Sequence, residues 1–289
     1  MPPTPPRRLL DPLWRVLRTL RVAFTVLLYL VIGPSGFLPY ALFCLCWRGD
    51  PFERARILQR TSARGLRIMH WWLRLLRIIH VDWRELQIEL PPGPCVIVAN
   101  HPTQLDPTVL IARFVEACTI VKPSVYRRSF VRHLLSGAMH FEGPSLDPMS
   151  VGHVVDNAVL RLRAGMHLFV FPEAKRSPQG QLREFGRIAF EIACRADVPL
   201  VSLAMRCEPC YLSRETPLFR PPARLPRMFV ELLAVDLPGD VAQDSRRLRD
   251  RVERRYQQWV AAGMPPLAPP QEPLPSAPSR SSIRPPTGT

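Results

Sequence analysis

The chain has 289 residues, with Lys+Arg 39 against Asp+Glu 24 and a formal net charge of +15. That length suits one sizeable α/β domain with appendages, and the charge suggests either a polyanionic partner (nucleic acid, an anionic membrane surface or a phosphate-bearing substrate) or simply an arginine-rich genome. The seven cysteines are scattered and hold a single C-x-x-C, Cys207-Glu-Pro-Cys210, so no zinc site is expected and a reducing compartment fits best.

In chain order, residues 1–12 ("MPPTPPRR" onward) are too rich in proline to build a core and are expected to be a disordered N-terminus. Residues 13–80 are expected to form a membrane-associated helical region. From Val22 to Trp47 no residue is charged, but Gly33-Pro34-Ser35-Gly36 divides the run. Each half is too short to cross a bilayer alone. Arginines flank both sides (Arg15, Arg18 and Arg21; Arg48, Arg54 and Arg56), which favours a re-entrant hairpin over a kinked span.

Phe52 to His80 follows. At helical spacing Leu58, Leu66, Met69, Trp72, Leu73, Leu76 and Ile79 share one face, and Arg56, Arg60, Arg64, Arg67, Arg74 and Arg77 the other. Such a helix either covers a core or lies on anionic membrane lipid, and its place after an apolar run favours the lipid. No zinc-finger spacing or aromatic-basic ribonucleoprotein motif occurs, so nucleic acid is not expected as a partner.

From residue 81 to 263 the rhythm is that of an α/β domain. "HVDWRELQIEL" alternates as a half-exposed strand, and "CVIVA" reads as a strand buried on both faces. "DPTVLIARFVEA" reads as a helix with Asp106 at its N-cap. Then come strand "CTIVK", helix "SFVRHLLSGAM", helix "SVGHVVDNAVLRLRAG", strand "MHLFVF", helix "FGRIAFEIACRAD", strands "PLVSLAM" and "RMFVELLAVDLP", and a closing helix "DSRRLRDRVERRYQQWV". The alternation implies a mainly parallel, mixed sheet covered by helices. Residues 264–289 form a second Pro-rich tail, expected to be disordered.

Ligands of such sheets bind beyond the carboxyl ends of the strands. Two polar clusters fall there: Asn100-His101 with Asp106, and Glu173-Ala174-Lys175-Arg176-Ser177. Pro102 ends the first strand and turns the chain back. Asp106 can then accept from one imidazole nitrogen and leave the other as a base. The competing reading makes Asp106 only a cap and His101 a loop residue.

These residues resemble the hallmarks of the 1-acylglycerol-3-phosphate (lysophospholipid) acyltransferase family. The first hallmark, Asn-His-x-x-x-x-Asp, is Asn100, His101 and Asp106; the second, Phe-Pro-Glu-Gly-Thr-Arg-Ser, is Phe171 to Ser177; the third, a Val-Pro-apolar strand, is "VPLVSL" at Pro199. The resemblance implies transfer of a fatty acyl group from acyl carrier protein or coenzyme A to a lipid hydroxyl, with no further cofactor. His101 and Asp106 would be catalytic; Asn100, Glu173, Lys175, Arg176 and Ser177 would bind substrate. It also implies a place on the cytoplasmic face of a bacterial inner membrane.

Two departures stand out. Gly-Thr of the second hallmark is Ala174-Lys175, and the family's phosphate-binding arginine falls on Gly143. Lys122, Arg127, Arg128 and Lys175 are the candidates to replace it. "RCEPCYLSRETPLFRPPARLP" is similar to a branch tied to aryl-polyene and related lipids, so a non-glycerophosphate acceptor, such as one of ornithine-lipid or aryl-polyene type, is the alternative. A non-catalytic lipid-binding protein is a further one. The sequence leaves the oligomeric state open.

Overall fold

The structure, a computed structural model, describes residues 11–81, 83, 88–145, 148–178, 180–237, 239 and 244–267. Both expected tails lie largely outside the described residues. Helix α1 (Asp11–Cys46) runs unbroken through Gly33-Pro34-Ser35-Gly36, so the expected hairpin break is absent. An interior proline removes one backbone hydrogen bond, and the remaining bonds of a helix this long carry it across. Among the described residues no helix is long and apolar enough to cross a membrane. Helix α1 buries Val22 and Thr25 but leaves Leu20, Phe24, Leu27 and Leu30 exposed.

Asp50 caps helix α2 (Pro51–Leu75): its Oδ2 accepts from the Glu53 N–H at 3.1 Å, with Pro51 at the first turn. The apolar face expected to lie on lipid is turned onto the protein. Leu58 and Leu73 are buried there with Ala55, Ala63, Gln59 and His70. Part of the arginine face is used in the same way. Arg60 Nη2 donates to Glu116 at 2.6 Å, Arg56 Nη2 to the Ala164 carbonyl at 3.0 Å and Arg67 Nε to the Ala112 carbonyl at 3.0 Å. A second apolar stripe, Ile57, Ile68, Trp71 and Leu75, faces outward instead.

The α/β domain follows with β1 (His80–Val81), β2 (Val96–Ala99), α3 (Asp106–Arg113), β3 (Ala117–Val121), α4 (Pro123–Tyr126), α5 (Ser129–Gly137), β4 (Phe141–Glu142), α6 (Pro148–Arg163), β5 (His167–Val170), α7 (Ile188–Ala196), β6 (Leu200–Glu208), β7 (Arg227–Asp236) and α8 (Ser245–Ala261). The expected strand from His80 to Leu90 is shorter: His80 and Val81 pair, Ile88 to Leu90 do not, and residues 82 and 84–87 lie outside the described residues. Helix α3 stops at Arg113, short of the expected Ala117. The seven strands lie in the order β1-β7-β6-β2-β5-β3-β4, parallel throughout except for β6 against β7.

Strand alternation divides the core. Ile97, Ala99, Val201, Leu203 and Met205 face the cluster shared with Leu73, Val109 and Leu110. Val96, Val98, Leu200 and Ala204 face Val155, Phe190, Val252 and Tyr256 on the other side. Tyr256 is fully buried, and its hydroxyl reaches the Leu203 carbonyl at 2.7 Å and the Val98 carbonyl at 3.1 Å. Because β2 is parallel to both neighbours, with Val98 beside Val170 and Ala99 beside Leu203, the chain following β2 and the chain following β5 leave the sheet side by side.

Candidate active site

The residues after β2 form a tight loop closed by side chains. His101 Nδ1 meets Asp106 Oδ2 at 2.8 Å, with the imidazole 16% exposed and the carboxylate fully buried. The same Oδ2 accepts the Thr103 N–H at 2.7 Å, and Oδ1 accepts the Thr103 hydroxyl. Asp106 is the first residue of α3 rather than its cap, which is Leu105. Its carboxylate is therefore free of capping work and is pinned by Thr103 toward the histidine. With Nδ1–H donating to a buried carboxylate, Nε2 is the nitrogen left to take a proton. The ring is held from one face by Phe171, stacked at 4.3 Å between centroids.

Asn100 is buried in a different role. Its Nδ2 donates to the Met205 carbonyl at 2.8 Å and its Oδ1 accepts the Met205 N–H at 2.7 Å. The side-chain amide continues the β2–β6 ladder past the end of the strand. It fixes where the strand stops, and both of its polar ends are committed to backbone.

The segment after β5 is tied to the first. Glu173, 5% exposed, accepts the His101 N–H at 3.0 Å on one oxygen and the Arg183 N–H at 3.0 Å on the other. Burial pushes its carboxyl above the usual glutamate value, while the two backbone N–H bonds pull the other way. The Ser177 N–H donates to the His101 carbonyl at 3.0 Å. Glu173, expected to bind substrate, thus braces the two loops against each other, while Asn100, also expected to bind substrate, ties the end of β2 to β6.

Ala174, where the family hallmark has glycine, sits at φ 55, in the left-handed region that strains a side chain. Lys175 is exposed. Arg176 is half-buried, with Nη1 donating to the carbonyls of Leu212 and Ser213 at 3.1 and 3.2 Å. The Ser177 hydroxyl is buried and has no hydrogen-bond partner among the described residues.

This geometry joins a histidine, the carboxylate bonded to its Nδ1 and a basic loop at one sheet end. A family profile described as Acyltransferase matches residues 84–206, which contain every residue of both clusters. Over that stretch the chain is similar to the acyltransferase family. It is 26% identical over 201 residues to human 1-acyl-sn-glycerol-3-phosphate acyltransferase beta, covering 65% of this chain and 71% of that protein. It is 24% identical over 201 residues to the 1-acyl-sn-glycerol-3-phosphate acyltransferase of Pseudomonas aeruginosa, covering 64% and 72%. The crystal structure of the 1-acyl-sn-glycerophosphate (LPA) acyltransferase PlsC from Thermotoga maritima shares the fold, with a TM-score of 0.60 at 18% identity, over 89% of this chain and 99% of that one.

Gly143 directly follows β4, and its N–H donates to the Val121 carbonyl at 2.8 Å. A Cβ there would meet Ile120 Cγ2 at 3.1 Å and the Val121 oxygen at 3.3 Å. Of the candidates to replace the missing arginine, Arg127 is bound to Glu142 at 2.6 Å. Lys122, exposed at the end of β3, stands one strand nearer the base. Sequence reasoning missed Thr103, Arg183, Leu212 and Ser213. Only Thr103 left a signal: a hydroxyl three residues before a helix-start carboxylate, the spacing at which the two can meet.

Proposed function

We propose that this acyltransferase moves a fatty acyl group from an acyl thioester to a hydroxyl of a lysophospholipid such as 1-acylglycerol-3-phosphate. The observation that carries the reading is His101 held by a buried, doubly bonded Asp106 with Nε2 left available. His101 Nε2 takes the proton of the acceptor hydroxyl, and the oxygen attacks the thioester carbonyl. The new C–O bond forms, the C–S bond breaks, and the leaving thiolate receives the proton from the imidazolium. Asp106 stabilises that imidazolium and fixes its orientation. Arg176 and Lys175 supply positive charge for an anionic acceptor beside the base.

The donor is acyl carrier protein or coenzyme A carrying the acyl chain; no other cofactor enters. The acceptor is a membrane lipid, and two exposed apolar faces support a membrane-bound protein: Leu20, Phe24, Leu27 and Leu30 on α1, and Ile68, Trp71 and Leu75 on α2. Helix α2 leads into β1, where His80 pairs with Arg227, the residue opposite Glu208 at the end of β6. Its exposed Trp71 and Leu75 therefore approach the end of the sheet that carries His101. A place on the cytoplasmic face of a bacterial inner membrane belongs to the same proposal, since the donor is soluble and the acceptor lies in lipid.

The test is transfer of a labelled acyl group by purified protein in mixed vesicles, with lysophosphatidate, neutral and zwitterionic lysolipids, and hydroxylated ornithine lipids offered separately. Turnover of lysophosphatidate is expected. Turnover confined to the other acceptors would move the assignment, and no turnover with any would refute it.

A further inference from the structure

The connection between β6 and β7 carries hydrogen bonds that the transfer chemistry does not itself call for. We infer that its first part, Cys210 to Thr216, is a strap that orients Arg176 toward an acceptor bearing a pair of anionic oxygens, and so sets acceptor affinity without taking part in catalysis. The inference rests on the proposed role of Arg176 as an acceptor contact.

One carbonyl is central. Leu212 O accepts the Gln104 N–H at 2.9 Å and Arg176 Nη1 at 3.1 Å. It therefore joins the loop between His101 and Asp106 to the arginine of the second cluster. Leu212 reaches that position with φ 56, a left-handed conformation that a branched side chain adopts only when its surroundings enforce it. Those surroundings are visible on both sides. Tyr211, fully buried, passes its hydroxyl to the Leu218 carbonyl. Ser213, 4% exposed, folds the next turn through its hydroxyl oxygen, which accepts the N–H groups of Glu215 and Thr216, each at 3.1 Å. Its own carbonyl is the second acceptor for Arg176 Nη1, at 3.2 Å.

Both Nη1 protons of Arg176 are thereby committed to carbonyls. Among the described residues the Nε–Nη2 edge makes no hydrogen bond, and that edge is the planar fork that meets two oxygens of a phosphate or carboxylate. The strap fixes the guanidinium from behind and leaves this edge for the ligand. The Arg176 carbonyl is itself held by Arg183 Nε at 3.1 Å, so the residue is restrained at both ends.

Three variants test the strap by steady-state kinetics with lysophosphatidate as acceptor. Ser213→Ala removes the turn and should raise the acceptor KM roughly tenfold, as for a weakened charge-assisted contact, with the donor KM and kcat within about twofold. Ser213→Thr keeps the hydroxyl and should restore the KM. Arg176→Ala should raise the acceptor KM at least as far, and adding Ser213→Ala to it should change nothing further, because the strap acts only through the arginine. If Ser213→Ala does not fold, Tyr211→Phe tests the same anchor and should show the same pattern with a smaller rise. Equal effects of the strap variants with and without Arg176, or a fall in kcat at unchanged KM, would overturn the strap and leave the acyl-transfer assignment standing. An unchanged acceptor KM in Arg176→Ala would overturn the arginine's role and the strap together.

Discussion

The segments that follow β2 and β5 leave the same sheet end yet are organised on different scales. After β2, the parts of the proposed base are neighbours: His101 and Asp106 are 5 residues apart, and Thr103 and Asp106 are 3 apart. After β5, the restraints come from afar. Arg176 is held by carbonyls 36 and 37 residues away, and Glu173 spans to His101 at a separation of 72. The proposed reacting group is thus built by local geometry, while the group assigned to acceptor choice depends on the connection between β6 and β7. A loop can change its acceptor under such an arrangement without disturbing its base.

Substitutions that separate the two scales sharpen this contrast. The largest effect is expected from Asp106→Asn. The amide keeps the shape but cannot stabilise the imidazolium, so kcat should fall by about 10²–10⁴ while the acceptor KM stays near wild type. Rate measurements over a range of acceptor concentration check this, and a change confined to KM would contradict it.

Asn100→Ala should act on stability. It leaves the buried Met205 N–H and C=O without their side-chain partners, which costs about 1–3 kcal/mol for each group. A thermal or denaturant melt should show a loss of a few kcal/mol. An intact melt with a raised acceptor KM would return Asn100 to the substrate.

Lys175→Thr should be the mildest. The side chain is exposed, so its charge is screened and worth no more than about 1 kcal/mol. The acceptor KM for lysophosphatidate should rise no more than about fivefold. A larger rise would give Lys175 the role that Gly143 vacates.

The same contrast explains what could be read from the chain itself. Short apolar runs bounded by turns mark β2, β5 and β6, whereas the five-residue spacing of His101 and Asp106 fits a His–Asp pair but equally a helix cap beside a loop histidine. The roles of Asn100 and Glu173 were not legible, because their partners are backbone groups 105, 72 and 10 residues away, and backbone groups leave no residue-type signal. The strap was equally hidden, since Leu212 and Ser213 act through carbonyls. Helix α2 misled for another reason. It has two apolar stripes, and periodicity marks a face without saying whether protein or solvent meets it. In α1 the Gly-Pro-Ser-Gly sequence signalled a break, but the helix continues across it.

The division of labour between the two loops is tested most directly by parallel kinetics of His101→Ala and Arg176→Ala, with full acceptor titrations from lysophosphatidate-containing vesicles. The account predicts that His101→Ala lowers kcat by about 10²–10⁴ with the acceptor KM nearly unchanged. It predicts that Arg176→Ala raises the acceptor KM by at least roughly tenfold with kcat within a few-fold of wild type. Retention of kcat by His101→Ala, or a loss of kcat in Arg176→Ala as deep as that in His101→Ala, would contradict it.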